Sequence, residues 1–157
     1  MATVGDAEAI RSIYNTEVGG STATFDLRPR TAAAQRVWVE RHQGAHPAVV
    51  AEVGGEVAGF GSLSPYRERP AYSTTVEDSV YVDGAFRGRG VGRLLLEELV
   101  RLGQQQGFHT VIGRISGDNA PSIALHRACG FNEVGLERQV GRKFGRWLDV
   151  AVLQRML

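Results

Sequence analysis

Apolar residues recur along this chain with two periods, one helical and one extended, and the elements begin and end where the period changes. Ile10, Ile13 and Tyr14 fall on one face of a helix that Asp6 can cap and that runs to about Glu17, where Gly19-Gly20 ends it. Thr31 can cap a second helix in which Ala34, Val37, Trp38 and Arg41 share a face. The period then shortens. Pro47 opens an apolar run over residues 48–53, Gly54-Gly55 interrupts it, and a run over residues 56–63 completes a hairpin signature. A charged loop from Pro65 to Pro70 precedes a strand predicted over residues 73–82. Helical spacing returns with Val91, Leu94, Leu95, Leu99 and Leu102, and Gly107 stops that helix. Residues 110–115 are rich enough in β-branched side chains for a buried strand. Asn119-Ala120-Pro121-Ser122 starts another helix, with proline suited to its first turn, and Gly130 ends it. Strands over residues 131–140 and 147–156 then flank residues 141–146. Residues 1–5 are too few for a secure first strand. No repeat or linker interrupts the pattern, which predicts one mixed α/β domain over residues 1–157.

Composition narrows the possibilities. A chain of 157 residues that is 43% hydrophobic can bury one core and is too short for two typical domains. The net charge of +1, without an aromatic-basic stripe, argues against a nucleic-acid partner. No long apolar run points to a membrane and no charged-then-apolar leader is evident, so a soluble, cytoplasmic protein is expected. Cys129 is the only cysteine, which excludes an intrachain disulfide, and it reads as a small buried helix residue. Arginines do cluster locally, at Arg87, Arg89 and Arg93 and again at Arg138, Arg142 and Arg146 beside Lys143. These suit an anionic small ligand, or, for the second cluster, a solvated hairpin.

The first cluster lies in Val80-Tyr81-Val82-Asp83-Gly84-Ala85-Phe86-Arg87-Gly88-Arg89-Gly90-Val91-Gly92, a strand, a glycine-rich turn and a helix start. Free N–H groups at such a helix start, with the helix dipole behind them, favour a phosphate group. A dinucleotide G-x-G-x-x-G turn fails here because Arg93 occupies the third glycine position, and no Gly-Lys-Ser/Thr of a P-loop occurs. Arg87-x-x-Gly90-x-Gly92 instead resembles the acyl-CoA pyrophosphate motif of the GCN5-related N-acetyltransferases. Asn119-x-x-Ser122-x-x-Leu125-His126-x-x-x-Gly130-Phe131 resembles the later motif of that superfamily, again on a helix followed by a strand. His126 stands where the wider superfamily usually carries a tyrosine. With Ser21 to Phe25, Arg69-Pro70-Ala71-Tyr72, Glu77 to Val82 and Gly145 to Val150, the chain resembles the phosphinothricin and methionine sulfoximine acetyltransferase group over nearly its whole length.

That resemblance implies a central, mostly antiparallel sheet flanked by helices, here with its first strand reduced to residues 1–4 or lacking. It implies acetyl-CoA as co-substrate, no metal, and a small amine or amino-acid acceptor such as phosphinothricin, methionine sulfoximine or methionine sulfone. Val80, Tyr81, Val82, Arg87, Gly88, Arg89, Gly90, Val91, Gly92, Asn119 and Ser122 are the expected cofactor contacts, with a backbone N–H in the strand around Val80 to Val82 serving the thioester carbonyl. Glu77, on the strand leading into the turn, is the expected general base, and His126 the expected proton carrier to or from the amine or the sulfur. Thr24, Phe25, Arg69 and Tyr72 match acceptor positions. Relatives pair as dimers with C-terminal strands near the partner and the substrate site, so the resemblance implies a homodimer. Another small amine or a protein N-terminus as acceptor, or a non-catalytic acetyl-CoA-binding regulatory module, remain as alternatives at this stage.

Overall fold

The computed structural model describes residues 1–157. Six strands form one sheet in the order β1-β2-β3-β4-β6-β5: β1 Ala48–Val53, β2 Glu56–Pro65, β3 Thr75–Val82, β4 Thr110–Ser116, β5 Asn132–Lys143 and β6 Arg146–Met156. Every neighbouring pair is antiparallel except β3 and β4. That parallel pair needs a long crossover, supplied by the turn after β3 and the helix α3, Val91–Gln105. α3 and α4 (Ala120–Ala128) pack on one face of the sheet around Val76, Val111 and Leu153. α1 (Ala7–Gly20) and α2 (Ala32–Arg41) pack on the other, around Ile10, Tyr14, Val39 and Phe60.

Local chemistry explains most boundaries. The Thr31 hydroxyl accepts from the Ala34 N–H at 3.1 Å, so that expected cap forms, and the Asn119 side chain caps α4 by accepting from the Ser122 N–H at 3.2 Å. Asp6 behaves differently. Its carboxylate accepts from the N–H and hydroxyl of Thr3 at 2.7 and 2.9 Å, which closes a 3-10 turn over Val4–Asp6 in place of capping α1. The residues before α1 add no strand to the sheet; the Ala2 N–H makes one backbone bond to Ala48 at 2.9 Å.

Three expectations shift. α1 continues through Gly19-Gly20, which were expected to end it. In α2 the buried positions are Gln35 and Val39, while Val37 is 44% exposed: Val39 joins the core around Phe60, and Gln35 accepts from the Arg30 guanidinium. In α3 the buried stripe is centred on Leu95, Leu96, Leu99 and Val100, and Leu94 is 64% exposed. Leu95 and Leu99 reach β2 where Gly59 and Gly61 carry no side chains, and that close approach rotates the helix away from Leu94.

Candidate active site

The site begins where the sheet comes apart. β3 and β4 pair only over Thr75–Asp78 and Thr110–Gly113; beyond that β3 stays with β2 and β4 stays with β6, so a gap opens between them. Successive strand side chains alternate faces. Glu77, Ser79 and Tyr81 therefore project toward α1, whereas Asp78, Val80 and Val82 project toward α3 and α4. The carbonyls of Ser79 and Tyr81 lie on the β2 side, close to Gly61 and Gly59. Alternation then turns the N–H and C=O of Val80 into the gap.

On one side of the gap lies a cavity of about 520 Å³ lined by Val80, Tyr81, Val82, Arg87, Gly88, Gly90, Val91, Gly92, Asn119 and Ser122, with Glu17, Asp118 and Leu125. Of the expected cofactor contacts only Arg89 is not in its wall; its guanidinium sits 5.5 Å over the Phe86 ring. Gly90 is the residue before α3 and has φ +82°, a left-handed conformation that side chains resist, with open space where a Cβ would stand. No side chain caps α3, and its first helical bond is Leu94 N–H to Gly90. The N–H groups of Val91, Gly92 and Arg93 therefore face the cavity entrance without intrahelical acceptors. This cradle fits a pyrophosphate. Arg87 also reaches across to the largely buried Glu17 of α1 and donates to the Val82 carbonyl at 3.2 Å.

On the other side lies a cavity of about 230 Å³ lined by Ala23, Thr24, Phe25, Glu77, Ser79, Tyr81, Arg114, Ser116 and Val150. Glu77 is half-buried here, and burial raises its carboxyl above the ordinary range, partly opposed by the Arg114 charge and reinforced by Asp78 and Glu137. Its wall is pinned from several directions. Tyr14 bonds the Thr24 hydroxyl at 2.8 Å and donates to Asp26 at 2.6 Å; Thr22 donates to Asp118 at 2.8 Å; buried Lys143 donates to the Thr24 carbonyl at 2.7 Å. Arg69 and Tyr72 do not line either cavity. They lie on the loop before β3, where Tyr72 packs edge-on to Tyr66 and Arg67 sits over both rings. Arg67, two residues earlier than the expected arginine, is the arginine of this loop whose charge is felt at Glu77, more weakly than that of Arg114.

His126 and Glu77 lie on opposite faces of β3. His126 is 3% exposed and sits at the vertex of the gap, with Nδ1 2.8 Å from the Ser122 carbonyl and Nε2 2.9 Å from Asp78 Oδ2. A carbonyl and a carboxylate both accept, so both ring nitrogens act as donors and the ring reads as imidazolium. Burial pulls its pKa down, but the bond to Asp78, the charge of Asp78 and the Ser122 carbonyl together raise it above the ordinary value. Gly113 makes room for this pair: a Cβ there would stand 2.8 Å from the imidazole Cδ2. A narrow cleft of about 50 Å³ joins the vertex to both cavities, lined by Asp78, Ser79, Val80, Tyr81, Arg114, Asn119, Ser122 and His126. No cluster of three or more His, Cys, Asp or Glu side chains is placed to hold a metal ion.

Residues 8–131 match the model of the acetyltransferase (GNAT) family. The chain belongs to that family. It is 41% identical over 155 residues to an L-methionine sulfoximine/L-methionine sulfone acetyltransferase of Pseudomonas paraeruginosa, covering 98% of this chain and 90% of that one. It is 39% identical over 157 residues to a phosphinothricin N-acetyltransferase of Streptomyces coelicolor, covering 97% and 91%. The structure of a GNAT superfamily phosphinothricin acetyltransferase from Sinorhizobium meliloti in complex with acetyl-CoA superposes with a TM-score of 0.96 at 40% identity, covering 99% of this chain and 85% of that one. The mixed sheet with flanking helices is thus the GNAT fold, and the protein is an acetyltransferase. Asp78, Arg114, Glu17 and Asp118 of this acetyltransferase were not singled out by sequence reasoning. Arg114 alone carried a usable signal: it is the one charge inside the apolar run of β4.

Proposed function

We propose that the protein, as one N-acetyltransferase domain over residues 1–157, transfers the acetyl group of acetyl-CoA to the amino group of a small amino-acid-like acceptor of the methionine sulfoximine, methionine sulfone or phosphinothricin type. One observation carries this reading. A cavity with a phosphate cradle and a second, smaller cavity holding Glu77 meet at Ala23 and Tyr81, across the gap into which Val80 turns its backbone. The named relatives support the acceptor class.

Acetyl-CoA supplies an acetyl thioester. The N–H groups at the start of α3 and the backbone of Gly88 and Gly90 hold its pyrophosphate, and the Val80 N–H offers a donor to a carbonyl oxygen in the gap. Acceptor amines of pKa about 8–10 are mostly ammonium near neutral pH. Glu77 takes that proton, directly or through water, and its raised pKa brings it closer to the operating pH as a base requires. Amine attack is direct: the new N–C bond replaces the C–S bond of the thioester, and CoA departs as the thiolate, which takes its proton from solvent. Cys129 is buried, its thiol pushed up by burial, and it lines neither cavity, so it offers no acyl-enzyme route. His126 holds the vertex as a charged partner of Asp78 and serves the reaction by its fixed positive charge beneath the gap. The two C-terminal strands form the surface on which a second copy docks, giving a homodimer.

The test is Glu77→Gln, read by thiol release from acetyl-CoA with L-methionine sulfoximine, L-methionine sulfone, phosphinothricin and a set of ordinary amines. The variant is expected to lose roughly 10²–10⁴-fold in kcat with little change in KM. Near-wild-type turnover removes Glu77 from the mechanism, and turnover of ordinary amines in preference to the three analogues removes the acceptor class.

A further inference from the structure

Resting on the acceptor class just given, we propose that Arg114 is the residue that binds the acceptor's α-carboxylate and so selects free amino acids over neutral amines. Arg114 is the single cationic side chain lining the acceptor cavity, and Glu77 is its single carboxylate. Both project from the same face of the sheet. Glu77 pairs with Ile112, two residues before Arg114, so the two are diagonal neighbours whose Cα atoms stand roughly 8 Å apart by strand spacing and rise. The charge of Arg114 is felt at Glu77. An α-amino acid presents its amine and carboxylate on one carbon, and the cavity offers one base and one cation on one face to receive them.

The fork of Arg114 is already set. Glu137 of β5 accepts from Nη1 at 3.0 Å and also from Nη2. A guanidinium carries five N–H donors, and this end-on pair leaves the Nε edge and the outer Nη hydrogens for a second carboxylate. The side chain is only 28% exposed, so a bond made there is poorly screened by solvent. An arginine at a fixed angle suits bidentate recognition of a planar carboxylate, where a lysine would act as a point charge. Arg69, which the resemblance put at an acceptor position, does not line the cavity.

The experiment compares L-methionine sulfone with its α-carboxamide, by initial rates and by calorimetric titration onto CoA-saturated protein, for wild type, Arg114→Ala, Arg114→Lys and Arg69→Ala. Loss of a charge-assisted bond predicts that Arg114→Ala weakens the free acid roughly 10–100-fold in KM and in Kd while the amide moves by no more than about twofold. Arg114→Lys is expected to recover only part of the loss, and the KM for acetyl-CoA is the control for a disturbed fold. Equal effects on acid and amide, or discrimination lost in Arg69→Ala and kept in Arg114→Ala, overturn the assignment. Turnover of neither compound by wild type, with other amines accepted, overturns the acceptor class itself and this subsite with it.

Discussion

At the scale of single residues, the placement of His126 changes what a histidine at this position can do. Its motif suggested a free proton carrier flanking the thioester. The structure gives both ring nitrogens acceptors and leaves 3% of the residue exposed, so the proton it holds is shared with Asp78. One oxygen of Asp78, Oδ1, is buried without a protein partner, so the ring is the carboxylate's only compensation. Such a pair costs stability when one member is removed, because the other is left as an unpaired buried group. The sign follows from the raised His126 pKa. A group whose folded pKa lies above its unfolded value, about 6.5, contributes fully below that value and loses the contribution as pH rises through the folded one. Urea unfolding of wild type and His126→Gln is therefore expected to show a stability difference that shrinks as pH is raised from about 6 to about 9. The acid limb of the pH–rate profile is expected to survive in His126→Gln, because the proposed base, Glu77, is untouched by that substitution. Loss of the limb in this variant returns His126 to the role of a titrating catalyst.

At the scale of elements, the two ends of the gap are held open by different means. The entrance depends on the left-handed Gly90 ahead of α3. A β-branched residue in that conformation costs about 1–2 kcal/mol, and its side chain would project into the cradle proposed for the pyrophosphate. Gly90→Val is expected to raise the Kd for acetyl-CoA at least tenfold, measured by calorimetry, alongside a fall in Tm of a few degrees from the backbone strain. The vertex depends on Gly113, where alanine meets the imidazole; Gly113→Ala is expected to destabilise by about 1–3 kcal/mol. These glycines also show what was legible beforehand. The strand–turn–helix around Gly90 could be read because left-handed glycine, the apolar spacing of α3 and the strand alternation are all local. The β1–β2 hairpin was local too. Gly113 looked like a glycine in a strand, because the side chain that needs its space arrives from α4 thirteen residues later. The buried stripe of α3 was misplaced toward Leu94 for the same reason: the helix is rotated by contact with Gly59 and Gly61 on β2, and no count along α3 contains that. Arg114 and Glu137 meet only when β4 and β5 are brought together across β6.

At the scale of the whole molecule, the C-terminal hairpin is the element that one chain does not explain. β5 is the edge strand of the sheet and runs from Asn132 to Lys143, yet almost all of it is exposed, on both faces. Val134 is 55% exposed, Val140 54%, Phe144 56% and Trp147 61%, and Arg142 lies over the Trp147 ring at 5.3 Å. A long edge strand bearing a row of apolar side chains invites pairing with another chain, and natural proteins cover or charge such edges. The same hairpin reaches the acceptor site from below. Lys143 holds the Thr24 carbonyl, the Phe25 ring lies against the backbone of Gly141, Val150 lines the cavity, and Glu137 holds Arg114. Self-association through this surface would therefore fix the acceptor wall as well as bury the apolar row. Light scattering is expected to give twice the mass of one chain for wild type. Trp147→Glu, which places a charge among the exposed apolar side chains near the hairpin turn without touching either cavity, is expected to shift the protein to single chains and to raise the acceptor KM several-fold more than the acetyl-CoA KM. A wild-type protein that runs as a single chain at micromolar concentration, or a dimer untouched by Trp147→Glu, leaves the hairpin as a wall of the site alone.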